Sequence, residues 1–268
     1  MISLYRYLGI TGLAGLALAL FWVLISFVGP LIAPYGPGEI VNYDVFLPMS
    51  WEHPLGTDYL GRSVLSRVMD GARFTVGLAF AAALLASLLG TGLGLFSAVS
   101  GKALDESISR VMDALLSIPN KIFALVMIAA LGSSIPILLL ITAITYTPGV
   151  FRIARSLAVN INQMDYIQVA RARGEGRIYL ASVEVLPNMI HPMLTDFGLR
   201  FVYVVLLLSS LSFLGLGVQP PNADLGSLVR ENMSGLWEGA PAIMAPAAAI
   251  ISLTIGVNLF IDSLRSSR

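Results

Sequence analysis

Four stretches of this chain run for more than 20 residues without a charge: Tyr7 to Gly38, Phe74 to Gly101, Phe201 to Ala223 and Gly239 to Ile261. A helix of roughly 20 apolar residues crosses the hydrocarbon core of a bilayer, so each run predicts a spanning helix with margins. Composition agrees. Hydrophobic residues make up 56% of the 268 and charged residues 12%. With a mean hydropathy of +0.82, that is far outside a soluble globular profile. Zero formal net charge and the absence of cysteine point to neither a nucleic-acid partner nor a disulfide framework. The first run is too long for the apolar core of a secretory signal, and no small-residue cleavage site precedes Pro30 and Pro34, so it reads as a retained helix.

The middle of the chain needs a further argument. Ile122 to Phe151 is uncharged for 30 residues, long for one helix and short for two. Gly132-Ser-Ser-Ile-Pro136 reads as a turn. It divides the run into a third helix from about Arg110 to Leu131 and a fourth from about Pro136 to Arg155. The expectation is an all-α membrane protein of six transmembrane helices. Its two parts are residues 1–73, a first helix with an external amphipathic segment, and residues 74–268, a five-helix core with a polar loop over 156–188.

Lys and Arg placement sets the orientation. With the amino terminus inside, the inner side holds Arg6, Lys102, Arg110, Arg152, Arg155, Arg171, Arg173, Arg177, Arg265 and Arg268; the outer side holds Arg62, Arg67, Arg73 and Arg230. A five-helix arrangement with the amino terminus outside fits the charges nearly as well. Charge alone therefore does not fix the helix number.

Between the spans, Asp165-Tyr-Ile-Gln-Val-Ala-Arg-Ala-Arg-Gly174 is the polar passage richest in function. Asp165 with Gln168 three residues on reads as a capping box, and Gly174 as the residue that ends a helix of about two turns. Ala170, Ala172 and Gly174 let another surface approach closely, while Arg171, Arg173 and Arg177 offer charge to acidic groups. Physics alone leaves open a second reading, an interfacial helix resting on anionic lipid. Gln168-Val169-Ala170, then Gly174, then Leu186-Pro187 resembles the cytoplasmic coupling loop of ABC importer permeases, whose usual form is Glu-Ala-Ala, glycine, Leu-Pro. Here Gln168 stands for the usual Glu and Val169 for the usual Ala.

Further blocks extend the resemblance over roughly Leu8 to Arg265. His53-Pro-Leu-Gly-Thr-Asp58, Leu60-Gly-Arg-Ser-Val-Leu-Ser-Arg67 and Leu211-Ser-Phe-Leu-Gly-Leu-Gly-Val-Gln-Pro-Pro221 look like the second permease subunit of the dipeptide, oligopeptide and nickel importer group. The resemblance implies a type I ABC importer permease fold in a bacterial inner membrane, with both termini cytoplasmic. It also implies a homologous permease as partner, two ATPase subunits that use ATP and Mg, and an external solute-binding protein. In such systems the loop docks into a groove of the ATPase. This chain has no Gly-x-x-x-x-Gly-Lys-Ser/Thr phosphate loop, so it is read as binding no cofactor and hydrolysing no ATP itself. Peptides are the leading cargo, with nickel complexes, opines, glutathione or short sugars as alternatives. An ion-coupled secondary transporter, which would commonly show repeated halves, and an intramembrane enzyme, which would need converging catalytic groups, fit the residues less well.

Other residues carry structural expectations. Thr57 or Asp58 is expected to cap an amphipathic helix whose Val64, Leu65 and Val68 share a face and which Gly71 ends. His53 and His191 read as loop residues rather than metal ligands. Gly90 and Gly94, in register with Ala79, Ala83 and Ser87, predict close helix packing in lipid. Gly215, Gly217, Pro220 and Pro221 stop the fifth helix and shape the outer mouth. Asp196 and Arg200, four apart, are expected to pair. Asn120 and Lys121, placed near the middle of the third helix, are candidates for the translocation path, unless Asp113 satisfies Lys121 or its side chain reaches the membrane surface.

Overall fold

Helices account for nearly all the regular structure of the computed structural model, which describes residues 2–238 and 241–266. Gly239 and Arg268, named above, lie outside them. In chain order the principal helices are α1 (Ile2–Ile32), α2 (Val64–Val99), α3 (Lys102–Leu116), α4 (Asn120–Leu131), α5 (Ile135–Asn162) and α6 (Asp165–Ala172). They continue with α7 (Arg177–Phe213), which holds a π-helical stretch at Leu180–Val185, then α8 (Leu225–Glu231) and α9 (Pro241–Ser266). Among the described residues five helices are long and apolar enough to cross a membrane, and the bent pair α3–α4 makes a sixth span when counted as one.

The five-helix alternative fails on direction. The side chain of Asn162, at the end of α5, bonds the carbonyl of Ala98, near the end of α2, at 3.0 Å. Both helices therefore finish on the same side, and the chain between them must cross back. The bent pair α3–α4 and the Gly132–Ser134 turn make that return.

The third span is not the straight helix from Arg110 to Leu131 expected from the sequence. It breaks at Ser117-Ile-Pro119 with a bend of 84°. Proline supplies no N–H and forces the residue before it out of the helical region, so the break falls where the chemistry requires it. With 12 residues, α4 reaches only about 18 Å, little more than half the hydrocarbon thickness. α3 buries none of its residues. It is tied to α5 through Arg155, whose Nε donates to Asp105 at 2.5 Å, and more loosely by the exposed Arg152–Asp113 pair at 2.8 Å.

Other boundaries also move. α2 starts at Val64 rather than Phe74, capped by Ser63, whose hydroxyl accepts from the Ser66 N–H; neither Thr57 nor Asp58 caps it. Gly71 does not end a helix. It lies inside α2, where a Cβ would come within 3.1 Å of Leu228 on α8. The boundary drawn at residue 73 thus falls within one continuous helix. α5 runs on to Asn162, past the expected end at Arg155, and α7 begins at Arg177, well before Asp196, near which the fifth span was expected to start. Most of the expected 156–188 loop is therefore helical. α7 ends at Phe213 in a reverse turn at Gly215 (φ 87°), with Leu216 N–H on the Leu211 carbonyl and Gly215 N–H on that of Ser212, both at 2.9 Å. That Schellman closure stops the helix before the Pro220-Pro221 pair is reached.

Two close crossings hold the bundle. At Gly90 and Gly94 α2 lies against Val150, Phe151 and Ala154 of α5, with Ala79 and Ala83 fully buried on the same stripe. At Gly15 and Gly256, a crossing the sequence reading missed, α1 and α9 touch backbone to backbone; a Cβ on Gly15 would sit 2.7 Å from the Gly256 carbonyl. Trp22 Nε1 donates to Ser252 Oγ beside it at 2.9 Å. Small residues replace hydrophobic burial as the means of association where the surroundings are lipid. Outward, α1 presents Phe27 and Leu31, as expected of a helix facing hydrocarbon.

Candidate functional site

α6 sits across the end of the bundle where α2 and α5 finish and α7 begins. Its apolar face is Ile167 and Ala170, three residues apart, both buried in a cluster with Ala158 and Ile161 of α5 and Leu180, Val185 and Met189 of α7. Leu186 packs against the same cluster. The two halves of the sequence motif, 165–174 and 186–187, therefore meet through side chains rather than through a loop. Asn188 Nδ2, one residue past Pro187, adds a bond to the Tyr166 hydroxyl at 3.2 Å.

The start of α6 differs from the capping box expected there. Met164 occupies the N-cap without a side-chain cap, and Asp165 is the first helical residue, where its charge still favours the helix dipole. Gln168 turns back instead: its Nε2 donates to the Asn162 carbonyl at 3.3 Å. The end of α6 is as expected. Gly174 takes φ 87°, its N–H reaches the Arg171 carbonyl at 2.9 Å, and the Glu175 N–H reaches that of Ala170 at 3.2 Å. This is a complete Schellman motif, which a residue with a Cβ closes less readily.

The π-helical stretch ends at Val185, two residues before Pro187. Proline has no N–H to continue the ladder, and a single wide turn absorbs the mismatch without ending the helix. Pro187 itself is exposed, behind the cluster.

What α6 leaves uncovered is a mixed apolar and basic face. Tyr166, Gln168, Val169, Arg171, Ala172, Arg173 and Gly174 are exposed, and Ile178 at the start of α7 is 85% exposed. Arg171 Nη2 is held by Asn162 Oδ1 at 2.8 Å. Sequence reasoning missed Asn162, Tyr166, Ile167 and Ile178; the Ile167–Ala170 spacing alone would have revealed which side of α6 is buried.

Asn120 and Lys121 are elsewhere. They open α4 rather than occupying the middle of a helix. Asn120 lines a small pocket with Leu115, Phe123, Ile144 and Thr145. Lys121 is exposed, and Asp113 is bonded to Arg152 instead of to it. Asp196 and Arg200 do pair, at 3.2 Å, but within α7 rather than near its start. His191 is exposed on α7, while His53 is buried with its ring 6.2 Å from that of Tyr35.

The opposite end of the bundle carries a charge cluster that the sequence reading did not join. Asp58 and Glu231 share Arg62 and Arg67. Nearby, burial pushes the Asp224 carboxyl above its usual range, against the hydrogen bonds it accepts from the Ser212 hydroxyl and from backbone N–H groups including that of Ser227. Asp224 and Ser227 form the capping box of α8.

Comparison with known proteins bears on this arrangement. The family described as binding-protein-dependent transport system inner membrane component matches residues 90–266. The chain is 33% identical over 261 residues to the dipeptide transport system permease protein DppC of Haemophilus influenzae, covering 95% of this chain and 88% of that one. It is 32% identical to the probable D,D-dipeptide transport system permease protein DdpC of Escherichia coli, over 91% and 82% of the two chains. With the di/tripeptide transport system permease protein DppC of Pseudomonas aeruginosa the identity is 31%, over 95% and 86%. A multi-pass helical chain whose motif residues converge on one end of the bundle, and which matches over most of its length, belongs to the family of inner membrane permease components of binding-protein-dependent transport systems.

Proposed function

We propose that this chain forms half of the translocation path of an ATP-driven importer of short peptides, and that α6 is its joint to a separate ATPase subunit. The observation that carries the reading is α6 itself: a short helix seated by Ile167 and Ala170, closed by Gly174, and free to present Tyr166, Val169 and Arg173. Peptide cargo is supported by the three relatives above, each named for dipeptide or di/tripeptide transport. Import of nickel complexes or opines by the same architecture is the second reading. ATP and Mg are used by two ATPase subunits, and a homologous permease supplies the other half of the path. An external binding protein delivers the solute to the end bearing the Asp58–Glu231 cluster. The α6 end faces the cytoplasm, with both termini.

The chain has no cysteine, so a single one at Val169 is a clean probe. In the assembled importer Val169→Cys is expected to cross-link to the ATPase subunit and to resist membrane-impermeant thiol reagents added from outside. Labelling from outside, or cross-linking only to lipid, would overturn the assignment.

Lys121 is proposed to face the path. A lysine at bilayer depth costs about 2.5–3.5 kcal/mol unless water or protein meets it, and Lys121 lies beside Asn120, whose pocket reaches Ile144 and Thr145 in the first half of α5. Lys121→Met is expected to change the relative uptake of acidic and basic peptides by several-fold. Equal uptake of acidic, neutral and basic peptides before and after the change would remove Lys121 from the path.

A further inference from the structure

We propose that Asn162 is the positioning residue that fastens α6 to the end of α2, so that a displacement of α6 is handed directly to the packed α2–α5 pair; this rests on α6 being the docking helix. Three bonds converge on Asn162. Its Nδ2 donates to the Ala98 carbonyl at 3.0 Å, its Oδ1 accepts from Arg171 Nη2 at 2.8 Å, and its backbone carbonyl accepts from Gln168 Nε2 at 3.3 Å.

The direction of the amide is fixed by chemistry. A guanidinium can only donate and a carbonyl can only accept, so the oxygen must face Arg171 and the nitrogen Ala98. Both backbone carbonyls involved lie at helix ends, Ala98 in the last turn of α2 and Asn162 as the last residue of α5, where the ladder supplies no partner. Asn162 and Gln168 fill those vacancies and join three helices in doing so. A glutamate at 168 has no N–H to give to the Asn162 carbonyl, which gives the amide at this position a role of its own.

The joint stands beside the apolar seat of α6 without duplicating it. Ile167 and Ala170 press α6 into an apolar cluster formed with α5 and α7 and bordered by Leu95 and Ala98 of α2, whereas the described hydrogen bond that runs from this junction to α2 is that of Asn162 to the Ala98 carbonyl. Farther along, Gly90 and Gly94 lock α2 to α5. Loss of the Asn162 side chain therefore leaves α6 seated in the apolar cluster but without this hydrogen-bonded tie to α2.

The test uses the complete importer reconstituted in lipid vesicles with its binding protein and a dipeptide, read as ATP hydrolysed per dipeptide imported. Asn162→Ala is expected to raise that ratio about ten-fold, the upper end of what one neutral hydrogen bond contributes, while the Val169→Cys cross-link still forms. Asn162→Asp separates the two arms: it keeps an acceptor for Arg171 but gives Ala98 no donor, and it is expected to raise the ratio as well. An unchanged ratio in Asn162→Ala, or in Asn162→Asp where the alanine variant does not assemble, would overturn the proposal. Failure of the cross-link in protein with Asn162 intact would instead overturn the docking role of α6.

Discussion

Arg67→Ala is expected to destabilise the protein by about 3–5 kcal/mol, the cost of removing one partner from a buried ion cluster. Arg67 Nη1 lies 2.9 Å from Asp58 Oδ2 and 2.7 Å from Glu231 Oε2. Arg62 reaches the same two carboxylates at 2.7 and 3.3 Å. Side-chain exposure is 1% for Asp58, 4% for Arg67 and 17% for Glu231, so water is poorly placed to replace the guanidinium. The cluster pins the segment before α2 to α8, and Asp58 Oδ1 also holds the N–H groups of Leu60 and Arg62 at 2.9 Å. The measurement is thermal unfolding of the purified protein in detergent. Adding Asp58→Asn to Arg67→Ala removes one of the two carboxylates left to Arg62, and the pair is expected to cost less than the sum of the two changes made singly. A melting temperature unaffected by Arg67→Ala would refute the structural role.

Gly90→Val and Gly94→Val are expected to abolish uptake. A Cβ on Gly90 would lie 2.6 Å from Val150 Cβ and 2.9 Å from the Phe151 nitrogen; on Gly94, 2.8 Å from both Ala154 Cβ and the Arg155 nitrogen. These are helix atoms that cannot step aside singly, so α2 and α5 must part, at about 1–3 kcal/mol or more for each site. Gly92 is the internal control. It lies on the same helix with nothing within 4 Å of its Cβ position, and Gly92→Ala is expected to transport normally. Peptide uptake compared at equal membrane expression decides the matter, and active Gly90→Val would mean that the crossing is looser than it stands here.

The spanning segments were legible because apolar runs of membrane length have few other uses, and the Gly132–Pro136 turn was legible because its residues break helices. What escaped were helices continuing beyond the apolar runs. Glu184, Asn188 and His191 made the first turns of α7 read as loop, yet the Asn188 amide is satisfied by the Glu184 carbonyl and Tyr166. Arg67 and Asp70 likewise concealed the start of α2. The break at Pro119 was hidden for the opposite reason, since the apolar residues after it invited a single straight helix. In the site, Gly174 could be read as a helix terminator, whereas the pairing of 165–174 with Leu186 was implied by the resemblance to a known loop. Asn162 could not, because its partner Ala98 is 64 residues away and no local pattern links them.

The way α6 ends bears on what a receiving surface must provide. Val169, Ala170 and Arg171 already give their carbonyls to the N–H groups of Arg173, Gly174 and Glu175, so a socket need supply no donors for them and fit can rest on shape and apolar contact. A surface that meets α6 is thereby selected by its contour, with no spare carbonyl at Val169, Ala170 or Arg171 to compensate for a mismatch.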